Sequence, residues 1–169
     1  MIEEEQEKMH IRKARPEDAD EIASVMHQSF LEYKSFYTRE AFEATTPGSD
    51  KVLERMNEGP MWVAVQRDRV VGTASAVAKG TGLYIRGMAV HPEARGQKIG
   101  WLLLEHMESF ANENGVHRMF LSTTPFLARA IRLYERVGFR RTDEGPHDLL
   151  GTQLYTMAKE LKAAPPESP

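Results

Sequence analysis

The sequence predicts a mixed α/β domain built on one central sheet. Two apolar runs, residues 61–65 and 70–78, flank the tight polar turn "RDR" and read as a hairpin. Farther along, stripes at helical spacing alternate with short apolar runs, the pattern of strand–helix–strand units. The chain has 169 residues and is 41% hydrophobic, enough for one domain with a sizeable core, and neither an internal repeat nor a long linker divides it.

Residues 10–15 alternate and form a first strand. Pro16 suits the first turn of a helix, and Glu17, Asp18, Asp20 and Glu21 suit its positive end. Ile22, Val25, Met26 and Phe30 continue that helix. Residues 34–59 are patterned more weakly and predict short helices split by "TTPGSD". The hairpin follows, and "KGTG" joins it to a strand over 82–90. In "AVHPEARGQKIGWLLL", residues 89–104, that strand breaks at a proline, passes two glycines and two cations, and becomes a helix. Ile99, Leu102, Leu103, His106, Met107 and Phe110 share one face of it, and Gly115 stops it. Residues 119–123 are a strand. Pro125 opens another helix with the stripe Leu127, Ala130, Ile131, Tyr134 and Val137, ended by Gly138. "FRRT" and "GTQLYTMAKEL" are the last strands, around the loop "DEGPHDLL", which brings the expected count to about seven.

Composition excludes several classes of function. The first eight residues, with four glutamates and one lysine, account for the whole formal charge of −3. The rest is neutral, whereas a nucleic-acid binder carries a basic excess. No apolar run approaches the ~20 residues of a membrane span. The acidic, polar start does not read as a secretory signal, so a cytoplasmic location is expected. Residues 1–8 and 163–169 ("AAPPESP" closes the chain) read as solvated tails around one domain, 9–162. There is no cysteine, which removes disulfides, thiolate metal sites and cysteine nucleophiles. The six histidines form no metal pattern. "HPE" at His91 resembles the H-x-E of zinc deaminases, but those also need cysteine ligands. His106 is expected in the core, and no metal is expected.

The glycines and cations after residue 90 are not a packing requirement. The first amides of a helix lack internal partners and carry positive partial charge. Glycines let a ligand approach the backbone, and Arg95 and Lys98 add charge, so a pyrophosphate is the natural guest. The spacing fits neither GxxxxGK[ST] nor GxGxxG. A surface turn with solvated cations is the competing reading.

"MAVHPEARGQKIGWLLLEHM" resembles motif A of the GNAT acetyltransferase superfamily, with its [QR]-x-x-G-x-[GA] core. Arg95 takes the basic position and Gly100 the last glycine, while Lys98 replaces the inner glycine. "ARAIRLYERVGFRRT" resembles motif B, in the right order and at the right distance, and the likeness spans about 9–160. The resemblance implies a GNAT-like fold: a mostly antiparallel sheet flanked by helices and splayed between strands 4 and 5. It implies acetyl-CoA as acyl donor and a primary amine, small molecule or peptide, as acceptor. The pantetheine arm would lie in the splay, against backbone groups of Met88, Ala89 and Val90. Gly87 is a plausible bulge, since glycine inside a strand often marks one. Arg95, Gly96, Gln97, Lys98, Ile99, Gly100 and Trp101 would cradle the pyrophosphate, although Trp101 reads equally well as a core cover. Tyr134 would protonate the leaving thiolate, as the family's "LYE" tyrosine does; without the resemblance it reads as a core tyrosine on an apolar stripe with Leu127 and Ile131. A homodimer, frequent in the family, is a further expectation.

The acceptor side is less legible. Many family members place a glutamate on the fourth strand; here that strand reads "GLYIRGMAV" and carries Arg86, a candidate partner for an acidic group on the acceptor. Glu32, Glu144, His147 and Asp148 are base candidates by position alone, and each reads more readily as an ordinary polar surface residue; a water chain is the simpler route. Phe30, Tyr33, Phe36 and Tyr37 either line a pocket or pack in the core. Without cysteine, direct attack in a ternary complex replaces any acetyl-cysteine route. A non-catalytic acyl-CoA sensor and a different acyl donor, such as succinyl-CoA, are the alternatives.

Overall fold

The computed structural model describes residues 8–162. The two expected tails lie outside the described residues, apart from the exposed Lys8. Eight strands form the sheet among the described residues: β1 (His10–Lys13), β2 (Met61–Gln66), β3 (Arg69–Lys79), β4 (Gly82–Val90), β5 (Arg118–Thr123), β6 (Arg140–Arg141), β7 (His147–Leu149) and β8 (Thr152–Glu160). Their order is β1-β2-β3-β4-β5-β8-β6, with β7 also on β8. The β4–β5 pair is parallel and the other pairs are antiparallel.

The sheet has one strand more than expected, because the loop "DEGPHDLL" contains β7. His147 pairs with Leu154 and Leu149 with Thr152. The connection is Leu150-Gly151, with φ of 47° and 94°. Both central residues of such a two-residue hairpin need positive φ. A leucine there is an uncommon choice, and this is why the turn does not announce itself in the sequence. The "RDR" turn does the same between β2 and β3, with Arg67 at φ 52° and Asp68 at φ 59°.

The helices are α1 (Ala19–Phe30), α2 (Arg39–Thr45), α3 (Ser49–Glu58), α4 (Ile99–Glu113) and α5 (Ala128–Val137). Pro16–Asp18 is a single 3-10 turn before α1, and Leu31–Phe36 another after it. Asp18 anchors that start: it accepts from Arg12 at 2.8 and 3.0 Å and from the Arg15 amide at 2.7 Å. Both faces of the sheet are covered. Met61, Val63 and Val65 pack with Ile22, Val25 and Val52 of α1 and α3. Trp62 and Ala64, one residue out of phase, pack with Leu103, Leu104 and Met107 of α4.

Two expectations about the later helices are corrected. His106 is exposed, not in the core, and its Nδ1 lies 3.3 Å from the Leu102 carbonyl. The buried arc of α4 centres on Leu103, Leu104, Met107 and Ala111, which turns position 106 roughly 100° aside at 100° per residue. The helix expected from Pro125 starts at Ala128, after a turn in which the Leu127 amide donates to the Thr124 carbonyl at 3.2 Å.

Candidate active site

The site begins where the sheet fails to close. β4 and β5 pair at Leu83–Met119 and Tyr84–Phe120 and then part. Beyond that point β5 follows β8, while β4 stays on β3. The register on β3 slips between Thr73–Ala89 and Ser75–Arg86, one extra residue on β4. Gly87 stands in this bulge with φ 62°. Bulges bend a strand away from its neighbour. The His91 amide donates to the Val71 carbonyl at 2.8 Å. The alternation of an antiparallel ladder therefore turns the polar backbone of Val90 toward the gap.

The gap is a cavity of about 1000 Å³, large for a small-molecule site. Met88, Ala89 and Val90 form one wall and Leu121, Ser122 and Thr123 the other. The turn into α4 closes one end. His91 caps its short 3-10 turn by accepting from the Glu93 amide at 3.1 Å, which gives "HPE" a structural role. Among the described residues, no cluster of three or more His, Asp or Glu could hold a metal.

Gly96 takes φ 85°, and a Cβ there would meet nothing within 4 Å, so the loop is open above it. Lys98 stands just before α4 in the left-handed region, at φ 61° and ψ 23°. A glycine adopts that conformation without strain, so Lys98 bears the strain a glycine would avoid. The Leu102 amide donates to the Lys98 carbonyl at 3.0 Å. The amides of Ile99, Gly100 and Trp101 thus precede the helical ladder. A Cβ on Gly100 would lie 2.7 Å from Leu133 Cδ2 and 3.2 Å from Met88 Cε, so glycine lets α4, α5 and β4 meet; at this glycine, contrary to the expectation from sequence, packing is a requirement.

Every expected donor-site residue except Gln97 lines the cavity. The Gln97 side chain instead bonds Gln66 at 2.8 Å. Trp101 lines the cavity while 41% exposed, so it is not a core cover. Arg95 pairs with Glu32 and reaches the Ser29 carbonyl at 3.5 Å, and Arg129 lies 3.8 Å from the same carboxylate.

Tyr134 of α5 is buried at the cavity wall, its ring 5.9 Å from Phe139. Burial pushes its hydroxyl up to about 12, and neighbouring Tyr37 adds to the shift. Tyr37 is also pushed up to about 12, again mainly by burial. Both phenols are therefore protonated at neutral pH.

Phe30, Tyr33 and Tyr37 also line the cavity, whereas Phe36 turns outward and stacks on Phe126 at 5.4 Å. None of the four base candidates lines the cavity. Glu144 pairs with Arg118, His147 lies 3.0 Å from the Thr156 hydroxyl, and Asp148 accepts from the Gly151 amide at 3.2 Å. Arg86 does line it, and so does Arg55 of α3, which the sequence reading missed. An arginine on a polar helix carries no signal that distinguishes it from a solvated one.

Known proteins share this architecture. A peptidyl-lysine N-acetyltransferase, YjaB of Escherichia coli, is 29% identical over 142 residues, covering 83% of this chain and 88% of that protein. An IAA acetyltransferase of Azospirillum brasilense is 37% identical over 100 residues, 58% of this chain and 64% of that one. Among solved structures, the PaiA N-acetyltransferase of Thermoplasma acidophilum in complex with coenzyme A superposes with a TM-score of 0.78 at 20% identity, covering 90% of this chain and 99% of that one. Residues 22–139 match the acetyltransferase (GNAT) family. That span runs from α1 through both walls of the cleft to the end of α5, and the chain accordingly belongs to the acetyltransferase (GNAT) family.

Proposed function

We propose that residues 9–162 form one catalytic domain that transfers the acetyl group of acetyl-CoA to a primary amine. The observation that carries this reading is one continuous cavity. It joins the parted strands, the free amides at the start of α4, and a protonated tyrosine. The backbone of Met88 to Val90 suits the amides of a pantetheine arm, and the turn from Arg95 to Trp101 suits a pyrophosphate. The neutral amine attacks the thioester carbonyl, the carbon–sulfur bond breaks, and the thiolate takes the Tyr134 proton. The amine proton leaves through water in the open cavity. A tyrosine near 12 is a weak acid toward a thiol of about 8.5 in water, but a thiolate leaving into the same apolar site is raised by the same burial. General acid assistance of this kind contributes ~10²–10⁴-fold.

The related proteins imply different acceptors by their names. The family match favours a transferase over a sensor. The test is release of CoA thiol, read with a thiol dye on a protein that contributes no thiol of its own. Release with acetyl-CoA and a broad amine panel is expected. Binding of acetyl-CoA without release on any amine would sink the reading, and faster release from succinyl-CoA would replace the donor.

A further inference from the structure

Two guanidinium groups face the acceptor end of the cavity. Arg86 comes from β4, beside the bulge, and Arg55 comes from α3. A Cβ built on Gly87 would lie 3.4 Å from Arg55 Nη1, so the glycine leaves the space this guanidinium fills. Neither group can shed its charge, because arginine does not deprotonate in proteins. Burial, and then the nearness of Arg86, lower the Arg55 pKa, and the charge of Glu58 offsets only part of this.

Glu58 pairs with Arg86 and answers one of the two charges. The Nε atoms of Arg55 and Arg86 are both buried without a hydrogen-bond partner among the described residues. Orphaned buried donors are rare in native proteins, and two on cations that line one cavity mark guanidinium groups whose hydrogen bonding the protein itself leaves incomplete. An anion in the cavity can meet the parts of both arginines that line it.

Resting on the transferase reading above, we propose that the amine acceptor carries its own carboxylate, held between Arg55 and Arg86. The charge count selects a monoanion: two arginines and one glutamate leave one positive charge. The planar fork of arginine matches a carboxylate in shape. The acceptor class is therefore an amino acid or a similar amine with a nearby carboxylate. A neutral amine offers Arg55 nothing. The substitution of Arg86 for a carboxylate on β4 fits this reading, because an acidic residue there would repel such an acceptor.

Two readouts test the proposal. In the first, the chain is given acetyl-CoA with each of the twenty amino acids and with the matching amino acid amides. CoA release from the best acid is expected to exceed that from its amide by about 10- to 100-fold in kcat/KM, the range of one charge-assisted hydrogen bond. Arg55→Met is expected to raise the KM of the acid by a similar factor and leave the KM of acetyl-CoA unchanged. The second readout needs no transfer: the same acids and amides are added to the CoA-loaded chain and its thermal midpoint is followed. Acids are expected to raise the midpoint in the wild type and not in Arg55→Met. Amides that serve as well as acids overturn the proposal, as does an acid-specific shift that survives in Arg55→Met or the absence of any acid-specific shift. These wild-type comparisons stand even if a variant fails to fold. Acid-specific stabilisation without CoA release from any amine would keep the anion site and sink the transferase reading.

Discussion

The two ends of the cavity are built by different means. The end proposed for the donor comes from one contiguous stretch, residues 87–101, and would work mainly through backbone: a bulge, an open glycine, a left-handed residue and three amides ahead of the helical ladder. The end proposed for the acceptor draws on separated segments, with Tyr33 and Tyr37, Thr45, Arg55 and Arg86 brought to one cavity by folding, and would work through side chains. Backbone recognition needs a set conformation at each of several consecutive residues, so it leaves a readable pattern. Side-chain recognition needs only that distant residues meet, so it leaves none.

The contrast can be broken or sharpened by substitution. The largest expected effect lies between the two ends, at Tyr134. Tyr134→Phe should lower turnover by ~10²–10⁴-fold while acetyl-CoA affinity holds, measured by thiol release and by titration of the donor. Unchanged turnover would remove its role as acid. Next comes Arg55→Met, whose acceptor KM should rise by about 10- to 100-fold with the donor KM intact; a matching rise in donor KM would show that the two ends are not separate. Gly100→Ala should act the other way. Its new Cβ meets Leu133 and Met88, so stability should fall by ~1–3 kcal/mol and acetyl-CoA should bind more weakly. Thermal unfolding and donor titration check this, and an undisturbed Tm would mean that the flexible tips of Leu133 and Met88 yield freely.

The smallest effects are expected at Lys98, where backbone and charge can be separated. Lys98→Gly relieves the left-handed strain of ~1–2 kcal/mol but adds freedom to the unfolded chain, so the net gain should be below ~1 kcal/mol. Lys98→Ala keeps the strain and loses the ammonium, and acetyl-CoA should bind about threefold to tenfold more weakly. An affinity equal to the wild type would place Lys98 at the border of the phosphate site.

Legibility followed the same division. Gly87 could be read as a bulge because glycine inside a strand is seldom there for packing, and the register slip lies beside it. The "RDR" turn was readable as a polar break between two apolar runs and the start of α4 through its glycines and cations, although Arg67 and Lys98 are not residues that positive φ favours. β7 was hidden because it has only three residues and because Leu150, unlike Gly151, is not a residue its turn geometry favours. His106 was misplaced because a helical face read from spacing has no fixed centre until its partner packs against it. Gln97 sits inside the motif, yet its side chain leaves the cavity for Gln66, a residue on β2.

Sequence alone determined the mixed α/β class, most of the strand and helix order and the donor-side turn, while Tyr134 became a candidate only through the likeness of its motif to the family's. These are local matters of periodicity, glycine placement and residue chemistry within short windows. Only the tertiary structure decided that β4 and β5 part beyond Tyr84 and Phe120, that Tyr134 is buried at the wall of that gap, and that Arg55 stands beside Arg86. Those facts depend on packing between residues far apart in the chain, and no local pattern encodes them.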